Sequence, residues 1–181
     1  GPLRDAKADL LDWAQDCELV ALQIKKQFPG QSLLWIGHSV GSQLPGLASI
    51  ALPINGLLSV GSGSGYWRDN SPPTKRVIRL FWWGIAPLAT AMFGGFPGRK
   101  LGIVGDLPAG VLWQWRRWCL NPHYGIGVEG EWAADAYAAA HYPLHALYFD
   151  DDEMMSLASV QSLVGWYRNA PSTLEKVNPA I

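Results

Sequence analysis

Five residues, Gly37-His38-Ser39-Val40-Gly41, set one serine between two glycines at the spacing G-x-S-x-G. The chemistry this spacing serves is covalent acyl transfer by a serine hydroxyl held on a sharp, strained turn. Neighbours two residues before and after such a serine must lack bulk, so that the segments on either side can pass close together. The residue after the serine, Val40, would offer its backbone N–H to a developing oxyanion, and His38 would support the turn from the strand side.

A hydroxyl is a weak nucleophile until a base removes its proton and a carboxylate orients that base. In catalysts built on this turn the order along the chain is serine, acid, histidine. The cluster Asp150-Asp151-Asp152-Glu153, just after the apolar run Pro143 to Phe149, lies where the acid belongs. Asp152 is the first candidate and Asp151 the second; the alternative is that the cluster only caps the following helix. Of the four histidines, His38, His123, His141 and His145, none follows the acid, so no residue occupies the expected place of the base.

The elements needed to hold these residues are legible. Ser32 to Ile36 reads as a buried strand leading into the turn, and Ser42 to Ala51 as the helix leaving it. Before them, roughly Ala6 to Phe28 reads as an amphipathic helix with Leu10, Trp13, Cys17, Val20, Leu22 and Ile24 on its apolar side, stopped by Pro29-Gly30. A second strand is expected over Ile54 to Val60, ending in Gly61-Ser62-Gly63-Ser64-Gly65. That loop has neither the lysine of a P-loop nor a dinucleotide spacing. A third strand is expected over Pro143 to Phe149, and a last helix over Leu157 to Arg168.

Between the second and third strands, Tyr66 to Tyr142 holds seven of the ten tryptophans and reads as a helical cap over the strand ends. Leu80 to Gly98 lacks charge, but Gly84, Pro87, Gly94 and Gly95 interrupt it. It is expected as a buried or substrate-facing helix in place of a membrane span. Val111 to Trp118, with Arg116 and Arg117, reads as cap packing with snorkelling arginines rather than a base-stacking surface.

Composition sets outer limits. With 181 residues, 49% hydrophobic and 16% charged, the chain has material for a sizeable core, and a net charge of −1 gives no electrostatic case for nucleic acid or an anionic membrane. Cys17 and Cys119 fit neither a disulfide framework nor a zinc spacing, which points to a reducing cytoplasm, and no motif argues for a metal, nucleotide or flavin cofactor.

The stretches LLWIGHSVGSQLPG, GDLPAGVLWQWRRWCLNPHY, PLHALYFDDDEMM and VGWYRNAPSTLEKVNP together resemble a bacterial α/β-hydrolase family related to serine aminopeptidases. The resemblance implies an α/β, mostly parallel sheet. It divides the chain into a partial core with the nucleophile turn (1–65), a Trp-rich cap (66–142) and an acid strand with a C-terminal helix (143–181). It also implies a fragment, since members would carry earlier strands and a later Gly-His segment with the base. An uncovered sheet edge and apolar face are then expected. The function expected is hydrolysis of a small apolar ester, thioester or amide through an acyl-enzyme on Ser39. The alternatives are a non-catalytic protein binding an apolar ligand and, less favoured, a membrane-associated module using Leu80 to Gly98.

Overall fold

The computed structural model describes residues 5–178. The first helix, α1 (Leu10–Gln27), starts at a capping box: the Asp9 carboxylate accepts from the N–H groups of Leu11 and Asp12, and the Asp12 carboxylate accepts from the Asp9 N–H. Its buried face is narrower than the sequence pattern implies. Leu10, Ala14 and Ala21 are buried, while Leu19, Val20 and Leu22 are exposed. The two alanines let the helix lie close on the turns after β1, and that contact selects the face over the bulkier residues.

Strand β1 (Leu34–His38) is followed by two 3₁₀ turns, Ser39–Ser42 and Leu44–Leu47, rather than by the expected α-helix. Pro45 has no N–H to give, and the chain is already extended at Ala48, so no long ladder of i→i−4 bonds can form. Next come β2 (Gly56–Val60), α2 (Pro72–Leu80) and α3 (Ala86–Phe93). A π-helical turn, Phe81–Ile85, joins α2 to α3, with the Ala86 N–H bonded to the Phe81 carbonyl. Pro87 cannot bond the Trp83 carbonyl and would clash with it, and the widened turn absorbs the fault. Gly94, at φ +70°, ends α3.

A two-residue antiparallel pair, β3 (Gly95–Phe96) with β4 (Leu107–Pro108), flanks the short α4 (Gly98–Leu101). Three helices follow: α5 (Ala109–Leu120), α6 (Tyr124–Glu129) and α7 (Glu131–Ala138). The chain then returns to the sheet in β5 (Leu144–Phe149), and α8 (Leu157–Trp166) leads to β6 (Ser172–Val177). Strand β6 was not foreseen. Its pattern, Ser-Thr-Leu-Glu-Lys-Val, is too polar to read as a buried strand.

The sheet is wholly parallel, in the order β1-β2-β5-β6, with Ile36 opposite Leu58, Leu58 opposite His145, and His145 opposite Thr173. The α/β class and mostly parallel sheet expected from sequence are thus present. The core packs α1, the 3₁₀ turns, α7 and α8 on the face carrying Trp35, Leu57 and Leu144. The other face is open at β1, where Leu34 and Ile36 are 68% and 72% exposed. A parallel sheet is normally covered on both sides, so this face is unusual among the described residues.

Candidate active site

Ser39 directly follows β1 and has φ +53°; only one other non-glycine among the described residues, Tyr124 at φ +51°, has a positive φ. A left-handed serine costs of order 1–3 kcal/mol and persists where its surroundings over-determine it. Those surroundings are visible. A Cβ on Gly37 would stand 2.5 Å from the Gly41 carbonyl oxygen and 2.5 Å from Ser42 Oγ, so the strand and the returning turn touch there. At Gly41 a Cβ would meet nothing within 4 Å, so crowding explains the first glycine and not the second.

Below Ser39, a polar scaffold fixes the turn. Ser42 Oγ donates to the Gly37 carbonyl at 2.8 Å, and Ser62 Oγ donates to Ser42 Oγ at 3.0 Å. The Tyr167 hydroxyl donates to the Ser42 carbonyl at 2.8 Å, and Tyr137 to the Gln43 carbonyl at 2.8 Å. The buried Gln43 side chain donates to the Gly63 carbonyl at 2.7 Å and accepts from the Tyr124 hydroxyl at 3.1 Å. Sequence reasoning missed Gln43 and these tyrosines. The available signal was an amide four residues past the serine, inside an otherwise apolar stretch. Burial pushes the Tyr124, Tyr137 and Tyr167 hydroxyls well above their usual pKa, so all three stay neutral donors.

Ser39, Val40, Gln43 and Tyr124 line a cavity of about 250 Å³ whose other walls, Asn70 apart, are apolar. Trp13 contributes from α1, Phe81 and Trp82 from the π turn, Val111 and Trp115 from α5, and Met154 and Met155 from the loop after β5. As the first residues of a 3₁₀ turn, Ser39 and Val40 keep N–H groups without intrahelical acceptors, and Val40 faces the cavity. Val111 to Trp118 packs as foreseen: Trp118 is buried, Trp115 meets Trp82 edge-on at 5.0 Å, and Arg116 Nε donates to the Trp82 carbonyl at 2.7 Å.

The three aspartates after β5 separate. Asp150 lies 2.9 Å from Lys176 Nζ, whose ammonium holds its carboxyl below the usual range. Asp151 is exposed. Asp152 accepts through one oxygen from the N–H groups of Met154 and Met155, each at 2.8 Å. Its other oxygen points toward Gly61, within 4 Å of the point that His38 Nε2 also approaches. None of the three caps α8; Ser156 does, accepting from the Ser159 N–H at 3.3 Å.

His123, His141 and His145 are not assembled with these groups. His145 sits on the sheet face between Thr173 Oγ1 at 2.6 Å and Glu175 at 3.0 Å, and His141 meets the Ala139 carbonyl at 2.8 Å. His123 is exposed. Among the described residues, no hydrogen bond joins a histidine to Ser39 or Asp152.

Three solved structures superpose over nearly the whole chain. The monoacylglycerol lipase of Paleococcus ferrophilus aligns at TM-score 0.55 and 12% identity, over 95% of this chain and 66% of its own. A soluble variant of monoglyceride lipase from Saccharomyces cerevisiae gives TM-score 0.54 and 15% identity, over 96% and 62%. An alpha/beta fold family hydrolase from Bacillus anthracis gives 0.51 and 10%, over 96% and 70%. The fold is that of the α/β hydrolases. The chain spans about two thirds of the length of these proteins. No family model matches the sequence, and a comparison with curated proteins gives no match. At such identities the likeness establishes the α/β-hydrolase fold, and function must be argued from the site.

Proposed function

We propose that this chain carries the nucleophile and acid of a serine hydrolase acting on small apolar esters, thioesters or amides. The observation that carries the reading is Ser39, held at φ +53° at the end of a parallel strand and facing an apolar cavity. Ser39 Oγ gives its proton to the imidazole base as it attacks the acyl carbonyl, the oxyanion is received by the Val40 N–H, and the imidazolium returns the proton to the leaving group. The tetrahedral adduct expels the leaving group to give an acyl-serine, which water hydrolyses. Asp152, already tethered through one oxygen and free at the other, is the better candidate to orient an imidazole than the exposed Asp151. Residues 66–142 act as the cap, since Phe81, Trp82, Val111 and Trp115 supply the apolar walls. The unbridged Cys17 and Cys119 support a reducing, cytoplasmic setting.

A second reading, a non-catalytic protein that binds an apolar ligand in the same cavity, is favoured by one observation: among the described residues no histidine bonds Ser39 or Asp152. Hydrolysis of short and medium-chain p-nitrophenyl esters separates the two, with Ser39→Ala as control and imidazole added in solution to serve as base. The hydrolase reading expects a Ser39-dependent rate that imidazole raises, together with phosphonate labelling of Ser39. Identical rates for the chain and its variant at every imidazole concentration, with no labelling, would leave only the binding reading.

A further inference from the structure

The outer surface above the cavity has a composition that the whole-chain charge conceals. Residues 66 to 105 hold six basic side chains, Arg68, Lys75, Arg76, Arg79, Arg99 and Lys100, against one acid, Asp69, in a chain of net charge −1. All six are exposed, and no ion pair among the described residues involves any of them.

Between these cations lies an apolar strip. The helical segment from α2 through the π turn to α3 turns Ile78, Phe81 and Trp82 inward to the cavity. Its outer side carries Leu80, Leu88 and Met92, exposed by 66%, 64% and 69%, with Val77 and Trp83 beside them. A helix apolar on both sides is either buried or at a lipid boundary, and this one is not buried. Its ends hold aromatic–cation pairs. At one, Arg68 and Arg79 lie 5.1 and 5.9 Å from the Trp67 ring centroid, and Trp67 meets Trp83 edge-on at 5.6 Å. At the other, Lys100 Nζ lies 5.1 Å from the Phe93 ring. Indole rings beside long basic side chains suit the boundary between headgroups and acyl chains.

No helix among the described residues is long and apolar enough to cross a membrane, so the geometry concerns a surface. We infer that the outer face of residues 66–105 docks on a lipid bilayer bearing anionic headgroups, with Leu80, Leu88 and Met92 entering the acyl boundary and the six cations meeting the charge. The inference deepens the hydrolase reading and rests on it only for its purpose: Ile103, on this segment, and Met154 both line the cavity and are exposed, so an apolar ester leaving the bilayer meets the cavity there. Binding itself needs no turnover.

The test is flotation of the chain, carried out with Ser39→Ala so that no hydrolysis intervenes, on vesicles of equimolar phosphatidylglycerol and phosphatidylcholine and on vesicles of phosphatidylcholine alone. Binding to the anionic vesicles is expected to exceed binding to the neutral ones and to fall with added salt. Arg76→Ala and Arg79→Ala are each expected to weaken it about fivefold. Leu80→Gln and Leu88→Gln, which change no charge, are each expected to weaken it tenfold or more. Circular dichroism confirms that these surface variants stay folded. Equal binding to both vesicle types, or binding unchanged in the leucine variants, overturns the inference. So does absence of vesicle binding from a chain that self-associates and becomes monomeric on Leu80→Gln, since the strip is then a contact between copies. These outcomes are independent of the ester assay: a chain that floats but never turns over refutes the hydrolase reading alone.

Discussion

At Ser39 the backbone carries the argument. A serine at φ +53° is strained, and the strain is enforced by a contact that no side chain could share: Gly37 against the Gly41 carbonyl. Gly37→Ala forces that contact apart and is expected to cost about 1–3 kcal/mol, as overpacking does. Gly41→Ala adds a methyl to open space and is expected to stay within about 0.5 kcal/mol of the parent. Urea unfolding of the two variants checks the difference; equal losses would mean that the motif's two glycines serve the same purpose. The motif shows both glycines alike, because letter spacing carries no information on which one a neighbouring carbonyl approaches.

Among the elements, the joints carry the specificity. The 3₁₀ turns after β1 are joined to the glycine-serine loop through Gln43 and to α6 through Tyr124, the other non-glycine of positive φ among the described residues, which lines the same cavity as Ser39. Gln43→Leu keeps the volume and removes both bonds. It leaves the Gly63 carbonyl unpaired, at about 1–3 kcal/mol for a buried group, and takes from the Tyr124 hydroxyl its Gln43 acceptor. The expected result is a clear loss of thermal stability; a change under about 0.5 kcal/mol would show that water satisfies both groups. The π turn between α2 and α3 has a sequence cause in Pro87, and the carbonyl of Trp82 beside it finds Arg116. Each of these joints spans residues far apart in the chain, which periodicity cannot see. Strand β6 escaped for the same reason: its pairing with β5 supplies what its polar pattern lacks.

For the molecule as a whole, four of the six tyrosines are buried, and burial raises the hydroxyl pKa of Tyr124, Tyr137, Tyr142 and Tyr167. Above about pH 10 an unfolded tyrosine loses its proton while a buried one keeps it. The folded state then binds more protons, so stability is intact below that pH and falls as pH rises beyond it. Alkaline titration should show tyrosinate absorbance from these four appearing together with the loss of far-ultraviolet dichroism. Their ionisation before unfolding would mean that the cluster under the Ser39 turn opens locally.

The sequence by itself determined the local chemistry: the strand and turn around Ser39, the acidic loop after β5, and the aromatic segment that walls the cavity. These follow from glycine spacing, apolar runs and composition, which act between near neighbours in the chain. Only the tertiary structure decided that Asp152 alone among the aspartates is tethered beside the turn and that Gln43 and three tyrosines hold Ser39 in place. It also decided that the apolar strip on α2 and α3 faces outward among cations. Each depends on which buried polar group meets which partner, and on which face of an element is left uncovered. Those are properties of packing between distant segments, and no window of residues contains them.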